Sequence, residues 1–453
     1  AVSVDSVRNL PATALFGSSL IFFFILGAIF FLLPCALVSA ELSSNDPASG
    51  GVYSWVKNAF GPQMGVFAIW MQWIENVIWY PTILSFVAGT IGFLISPALA
   101  NNKVFLITVI LVAFWGATLV NYLGIKSSAL FSNFCAVAGL LLPMTLIIAL
   151  GAVWLFSGKP LQISFTPKAL LPSLGTSQSW VALTGIMLSF CGMEIATVHT
   201  RDVKDPQRTY PRAMLLATLV IVVTLICGAL AIAFVLPEKE ISLVAGIMEA
   251  FQAFFAEYHL TSLLPFIALT LVIGGMGSVS NWIVAPIRGL LFASQEGFLP
   301  AHFSNENRFG APKILLLYQA LIVTAVTMVF LLLPSINASY WFLTALAAQL
   351  YMLMYILMFF AAWASRDRSA SSQVQGYRMP GGKWGIRTVC VAGIIGSVVT
   401  FIIGFIPPDN IQTGGVAFYE SLLIGGLLIM SLPPFLIYQK CSRKLKAISL
   451  AQN

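Results

Sequence analysis

Long apolar stretches alternate with short polar segments along almost the whole chain. Each apolar stretch approaches or exceeds the roughly 20 residues that an α-helix needs to cross the hydrocarbon core of a bilayer. The longest are long enough that their helices must tilt, bend or extend beyond the membrane. The pattern predicts an all-α integral membrane protein with spans at 17–42, 61–96, 103–122, 127–156, 179–200, 212–236, 262–295, 313–333, 340–365, 386–406 and 419–438.

One of these stretches, 179–200, carries polar features that an ordinary span avoids. It places Cys191–Gly192 and the ionisable Glu194 at membrane depth. Glycine is a poor helix former, and a carboxylate in hydrocarbon is costly. A helix that breaks here would explain both, because its free ends could bind a charged solute. The alternative is that Gly192 only permits a close helix crossing.

The composition supports a polytopic membrane protein. Hydrophobic residues make up 59% of the 453 positions and charged residues 9%, and the mean hydropathy is +0.92. A soluble protein does not need so much apolar surface, whereas many stacked spans do.

The basic residues are distributed unevenly between the two sides of the predicted bundle. The loops after the spans that end at 42, 122, 200, 295 and 365, with the C-terminal tail, contain about four times as many Lys and Arg residues as the opposite loops. The positive-inside rule therefore places the first group of loops and the C-terminus in the cytoplasm. The net charge of +7 is thus explained by topology, and no nucleic-acid partner is expected.

Cysteine and histidine show no pattern of ligand spacing. The six cysteines lie in spans or in the tail, and no CxxC motif occurs among them. We therefore expect no disulfide, no metal site and no cofactor.

The start of the chain has two interpretations. Residues 1–10 are too few to cross a membrane, and Pro11 is expected to close the segment. The segment is either a short extracellular tail or the outer half of a discontinuous first helix, whose inner half is absent from this sequence. The second interpretation gives twelve spans with both ends in the cytoplasm.

Several motifs resemble the amino acid–polyamine–organocation superfamily, and within it the bacterial glutamate/GABA antiporter type. They occur in the family's order, which makes the set specific although each motif alone is weak. They are AEL and PASGGVYSWVKNAFGP within 40–62, SFCGMEIATVH and DPQRTYPRAM within 189–214, NWIVAPIRGL and GFLP within 281–300, MPGG at 379–382, and IPPDNIQ at 406–412.

The resemblance implies a LeuT-type fold of two inverted five-helix repeats, with the first and sixth helices interrupted at the substrate site. It implies twelve transmembrane helices, with the first half of the first helix missing from this sequence. The chain would form one polytopic domain, 1–453, made of a first repeat (1–156), a second repeat (179–365), the last two helices (386–438) and a cytoplasmic tail (439–453).

The resemblance also implies where substrate binds. Val2 and Ser3 would lie beside it in the unwound part of the first helix, and Trp282 would contact it from the eighth helix. Ser278 stands where the glutamate/GABA antiporter has Glu, so the specificity of that antiporter does not transfer directly. The interrupted sixth helix would contribute Ser189, Phe190, Cys191, Gly192, Met193 and Glu194.

Buried charges provide candidates for gating or proton sensing. Glu194 could bind an ammonium group or respond to pH, or it could simply tie its helix to a neighbour. Glu75 is the other carboxylate in mid-span, so it must face a cavity or pair with a cation, for which Arg8 is available. In proton-coupled relatives a Lys occupies the position that matches Gly139, and its absence favours exchange over proton symport.

The resemblance implies a secondary amino-acid transporter that works by alternating access, exchanging an amino acid for a related amino acid or amine. A proton-coupled amino-acid symporter is the main alternative, and a membrane-embedded enzyme a remote one. The expected partners are a small amino acid or amine and the lipid bilayer, and the protein would be a monomer or homodimer. We expect it in the inner membrane of a bacterium.

Overall fold

A computed structural model describes residues 6–45, 51–124, 129–172, 175–195, 206–368 and 377–452. These residues are helical apart from turns, loops and one isolated bridge between Glu306 and Pro312. The prediction of an all-α protein is confirmed for this part of the chain.

Twenty-two α-helices occur in the described segments. In chain order they are α1 (Leu10–Ala14), α2 (Leu20–Gly27), α3 (Leu33–Asn45), α4 (Val52–Phe60), α5 (Pro62–Ile95), α6 (Pro97–Ala100), α7 (Lys103–Tyr122), α8 (Ala129–Ala136), α9 (Leu142–Phe156), α10 (Pro167–Leu170), α11 (Ser177–Trp180), α12 (Ala182–Ser189), α13 (Pro206–Val235), α14 (Gly246–Glu257), α15 (Leu264–Trp282), α16 (Ala285–Gln295), α17 (Lys313–Thr327), α18 (Val329–Leu332), α19 (Ile336–Arg368), α20 (Gly382–Ile403), α21 (Val416–Ser431) and α22 (Pro433–Gln452).

Ten helical stretches of the described chain are long and apolar enough to cross a membrane. They correspond to ten of the eleven stretches predicted from the sequence. The exception is 179–200, because α12 ends at Ser189 and leaves no continuous helix of spanning length.

Two long helices form the centre of the bundle. α5 and α19 pack against each other, and most of their residues are buried. Their sequences are apolar on nearly every face, which is typical of a helix surrounded by other helices. α4, α15 and α16 pack on α5, whereas α12, α20 and α21 pack on α19.

A proline changes the helical pitch between α2 and α3. Pro34 has no N–H to donate to the carbonyl of Phe30, and the segment Ala28–Leu32 adopts a π-helix. That carbonyl faces α20, where a Cβ added at Gly396 would lie 2.6 Å from the Phe30 oxygen. Glycine is thus required at position 396 for the two backbones to approach this closely.

The same arrangement occurs between α8 and α9. Pro143 cannot donate to the carbonyl of Gly139, and Val137–Leu141 forms a second π-helix. A Cβ added at Gly139 would lie 2.0 Å from the Cα of Gly274 on α15. The backbones of the two helices therefore meet at a pair of glycines.

The first helical segment is shifted relative to the sequence-based expectation. A 3₁₀ turn at Val7–Asn9 leads into α1, so the segment continues to Ala14. The expectation that Pro11 closes it is wrong: Pro11 lies in the first turn of α1. Proline is favoured there because its fixed φ suits a helix and its missing N–H would have no intrahelical partner.

Candidate functional site

The predicted interruption after α12 is observed. α12 ends at Ser189, and Gly192 has a φ of +106°, which an L side chain rarely adopts. The N–H of Gly192 donates to the Tyr355 hydroxyl of α19 over 2.8 Å. A backbone group released by the break is therefore satisfied inside the bundle, as it must be at membrane depth.

Glu194 lies at the centre of a buried hydrogen-bond cluster. Its side chain is 2% exposed. Its Oε1 accepts from Gln72 of α5 over 2.9 Å and from the Tyr351 hydroxyl over 2.6 Å, and its Oε2 accepts from the Tyr355 hydroxyl. These contacts tie the broken segment to both central helices. We call Gln72, Glu194, Tyr351 and Tyr355 the Glu194 cluster.

A cavity of about 340 Å³ lies elsewhere along α5. This volume falls near the lower end of the range of about 300–1,000 Å³ found for small-molecule sites. The start of the described chain, α5, the π-helix before α9 and α15 form its walls. Its lining is Ser6, Val7, Arg8, Ile83, Phe86, Cys135, Ala136, Gly139, Leu140, Leu271, Gly274, Gly275, Gly277, Ser278, Asn281 and Trp282.

Among the described residues that form this lining, Arg8 is the one that carries a charge. Its Nη1 donates to the Thr82 hydroxyl over 2.8 Å and to the Tyr340 hydroxyl over 3.0 Å. The guanidinium carbon also lies 5.8 Å from the centre of the Trp79 ring and 5.9 Å from that of Tyr340, within cation–π range. The side chain is therefore fixed by neutral groups of α5 and α19.

Two tryptophans meet between the cavity and the Glu194 cluster. Trp79 of α5 and Trp282 of α15 have ring centroids 6.0 Å apart. The carbonyl of Trp282 accepts a hydrogen bond from Tyr80 over 2.9 Å, which fixes the end of α15. Trp282 thus forms one side of the cavity, and the hydrogen bond to its carbonyl holds its backbone in place.

One face of α5 connects these features. Gln72, Glu75, Trp79 and Thr82 follow one another at helical spacing, from the Glu194 cluster to Arg8. Glu75 is buried and interacts electrostatically with Glu194 and Arg8. No ion pair within 4 Å joins Glu75 to Arg8 in the described chain, so the pairing considered from the sequence is not present in this conformation.

The structure gathers only part of the predicted site. Arg8, Ser278 and Trp282 line one cavity. The described lining does not include the stretch Ser189–Glu194, which packs into the core and the Glu194 cluster. Val2 and Ser3 lie outside the described residues.

The sequence-based prediction did not include several residues of the site. Thr82 and Tyr340 hold Arg8, while Gln72, Tyr351 and Tyr355 hold Glu194. The tyrosines could have been predicted to bind a polar group, because a hydroxyl in an apolar span needs a hydrogen-bond partner. Thr82 did not, because a threonine in a helix can satisfy its hydroxyl on a preceding carbonyl.

Two ion-pair clusters lie where helix ends meet at one end of the bundle. Glu41 of α3 pairs with Arg366 of α19, and its other oxygen accepts from the N–H of Met379 over 2.8 Å. Lys57 of α4 pairs with Glu296, just after α16, over 2.6 Å. All these helix ends belong to the group of loops that the Lys and Arg distribution placed on one side.

Tyr53 is a third partner in the Lys57–Glu296 ion pair, because its hydroxyl donates to Glu296. Burial alone would raise the pKa of Glu296, but hydrogen bonds from Lys57 and Tyr53, with the Lys57 charge, outweigh it and hold that pKa below its ordinary value. Burial of Tyr53, followed by its hydrogen bond to Glu296, raises the pKa of its phenol. Glu296 is therefore ionised in the folded protein at neutral pH.

We expect Glu296→Gln to lower thermal stability in detergent at pH 7 by about 1 kcal/mol, the scale of a partly exposed pair. A carboxylate with a lowered pKa stabilises the fold above its unfolded pKa of about 4.3, and that contribution is lost as the pH falls through the folded pKa. The wild-type and variant melting curves should therefore converge in acid. The exposed Glu306, as Glu306→Gln, is the control; an equal shift in both variants, or one independent of pH, would contradict the assignment.

Comparison with known proteins places these features in context. A family model described as amino acid permease matches residues 2–428. An uncharacterised transporter of Legionella pneumophila is 42% identical over 444 residues, covering 98% of this chain and 95% of that protein. A glutamate/gamma-aminobutyrate antiporter of Lactococcus lactis is 28% identical over 441 residues, covering 96% and 88%. A probable agmatine/putrescine antiporter of the same species is 24% identical, covering 79% and 75%.

A solved structure is similar in fold. The crystal structure of MhsT in complex with L-phenylalanine superposes with a TM-score of 0.58 at 12% identity, covering 89% of this chain and 95% of that one. The predicted LeuT-type architecture is confirmed by this likeness, and the predicted family resemblance by the family model and the antiporter relatives.

Proposed function

Because this chain belongs to the amino acid permease family, we propose that it is a secondary active transporter that exchanges one amino acid for another amino acid or an amine. The family and the relatives indicate a transporter in a membrane rather than an enzyme, and a small amino acid or amine as its substrate. The proposal adds the mode of transport and the site at which substrate binds.

The cavity lined by Arg8, Ser278 and Trp282 is the observation that carries the proposal. It lies inside the bundle, combines one charge with polar side chains and an indole, and is of a size suited to a small molecule. A 3₁₀ turn at Val7–Asn9, the π-helix Val137–Leu141 and the end of α15 contribute to its walls, and irregular helix segments of this kind are typical of transporter sites. Substrate would bind there, with Val2 and Ser3 as further candidates.

Alternating access requires contacts that can open in turn. The Glu194 cluster ties the broken helix to α5 and α19 beyond the Trp79–Trp282 pair. The pairs Glu41–Arg366 and Lys57–Glu296 join helix ends at one end of the bundle. We propose that these contacts close one side of the site and separate when substrate leaves. Binding must be nearly balanced between the two states for exchange to proceed.

Exchange rather than proton symport is supported by Gly139. A proton-coupled relative would carry Lys at this position, but a side chain here would overlap the backbone of α15 at Gly274. The carbonyl of Gly139 also faces that helix. The packing of this chain thus has no room for the lysine that the resemblance associates with proton coupling.

The proposed setting is the cytoplasmic membrane of a bacterium, with the C-terminus inside. The relatives are bacterial, and the excess of Lys and Arg lies on the side that carries the tail.

Counterflow in proteoliposomes tests the function. Liposomes containing purified protein are loaded with an unlabelled compound, and uptake of labelled glutamate, GABA, glutamine, arginine, agmatine or leucine is followed. An exchanger accumulates label only when the lumen contains a substrate, and a protonophore leaves this uptake intact. Liposomes without protein are the control.

The outcomes separate the alternatives. Exchange of no amino acid or amine would refute the proposed function. Net uptake into empty liposomes that collapses with the proton gradient would replace the antiporter with a symporter. Turnover of a labelled compound into a chemically altered product would restore the enzyme alternative.

A further inference from the structure

The described lining of the cavity carries an unbalanced charge. Arg8 is 3% exposed and is the one charged residue in the described lining, while the facing residues Ser278 and Asn281 are neutral. A buried guanidinium remains ionised, so the cavity wall carries a positive charge.

The described surroundings do not neutralise this charge. No carboxylate of the described residues lies within 4 Å of Arg8. Its two hydrogen bonds to described side chains both leave from Nη1 and end on neutral hydroxyls, and the buried Nε has no described acceptor. The Trp79 and Tyr340 rings contribute attraction at a distance of almost 6 Å, which is weaker than a paired anion.

Glu75 is a candidate for a counter-charge among the described residues. It interacts electrostatically with Arg8, but it also interacts with Glu194, and it is not part of the cavity lining. Burying a charge without a partner is costly, whereas a charge-assisted hydrogen bond to a bound anion satisfies it. Among the described residues, Arg8 therefore places an unpaired positive charge at the cavity wall, which a bound anionic group would neutralise.

We infer that Arg8 binds a carboxylate of the substrate and that the cavity selects an amino acid of net negative charge. This inference rests on the proposed function and adds the substrate class to it. An acidic amino acid neutralises the charge of Arg8, a zwitterion leaves it unchanged, and a cationic amino acid or a protonated diamine adds further positive charge beside it. Thr82 and Tyr340 act as positioning residues, because they fix the guanidinium.

Pairs of nearly isosteric substrates test the inference. Glutamate and glutamine, like aspartate and asparagine, differ by a carboxylate against a carboxamide. Binding to purified wild-type protein and competition against counterflow are measured for both pairs. We expect the acid to bind about tenfold or more tightly than its amide, the scale of one charge-assisted hydrogen bond.

Variants of Arg8 extend the test. Arg8→Gln should weaken glutamate binding by about tenfold or more while glutamine binding changes much less. Arg8→Lys should keep part of the preference, because it keeps the charge. The matched control is Arg387→Gln on α20, where the arginine also lies beside two tryptophan rings but outside the cavity lining. This control should leave the preference for the acid unchanged.

Asp5 is the competing explanation, since it lies three residues before Arg8 and outside the described residues. If Arg8→Gln acts only by removing an Asp5–Arg8 pair that shapes the site, Asp5→Asn should reduce the preference for the acid in the same way. We expect Asp5→Asn to keep that preference or increase it.

The results distinguish this inference from the function on which it rests. Exchange of neutral amino acids with no preference for the acid, or an unchanged preference in Arg8→Gln, would overturn the role of Arg8 and leave the transporter intact. Exchange of no compound at all would overturn the function itself. If Arg8→Gln does not fold, the wild-type ratios and Arg8→Lys still decide, because a wild-type ratio at or below one refutes the inference.

Discussion

Gly139→Ala is expected to destabilise the protein by about 3 kcal/mol, at the upper end of the cost of overpacking a core. The added Cβ would lie 2.0 Å from the Cα of Gly274, and neither atom belongs to a flexible side chain that could turn away. α15 must move as a whole to relieve the overlap. Because Gly139 also lines the cavity, exchange should fall with stability.

Thermal unfolding in detergent and counterflow measure the two effects. Gly116→Ala on α7 is the matched control, because a Cβ there meets no atom within 4 Å. Alanine is the better helix former, so Gly116→Ala should keep or raise stability by up to about 1 kcal/mol. If both variants melt alike, the close approach of the two backbones is not a constraint in the native protein.

Trp282→Ala is expected to weaken substrate binding by about thirtyfold, which corresponds to about 2 kcal/mol. The indole forms a cavity wall and contacts Trp79. The hydrogen bond that fixes this end of α15 goes to the carbonyl of Trp282, and alanine retains that group. Trp282→Ala should therefore fold while it loses affinity for substrate. The affinity of Trp282→Phe should lie between those of the wild type and Trp282→Ala.

Trp384→Ala provides the comparison, since Trp384 is 76% exposed and lies outside the cavity lining. Its affinity should match that of the wild type. Unchanged binding in Trp282→Ala would place the site in another part of the bundle. A parallel loss of melting temperature and of binding would assign Trp282 a structural role instead.

Local hydropathy patterns were sufficient to predict the membrane-spanning helices. The need to satisfy every backbone group in hydrocarbon makes an apolar run of about 20 residues a helix, whatever its neighbours are. For the same reason Gly192 marked a helix break correctly. Pro11 misled the interpretation, since proline can close a helix or occupy its first turn, and the chain before it decides which.

The residues of the candidate site could be predicted only in part from local sequence patterns. Ser278 and Trp282 are four residues apart, so a helix necessarily brings them to one face. Arg8 could not be placed, because Thr82 and Tyr340 are 74 and 332 positions away along the chain. The role of Glu194 was equally ambiguous, because its partners Tyr351 and Tyr355 are 157 and 161 positions away along the chain.

The sequence by itself determined that this chain is a helical membrane protein with one broken helix, and its motifs identified the family. Those properties follow from local hydropathy, from backbone chemistry and from residues that are adjacent in the chain. Tertiary structure alone decided which polar groups share a cavity, which of them are satisfied within the protein, and that two glycines leave no space for a side chain. These depend on how distant helices pack, because the partner of a buried charge is set by proximity in space.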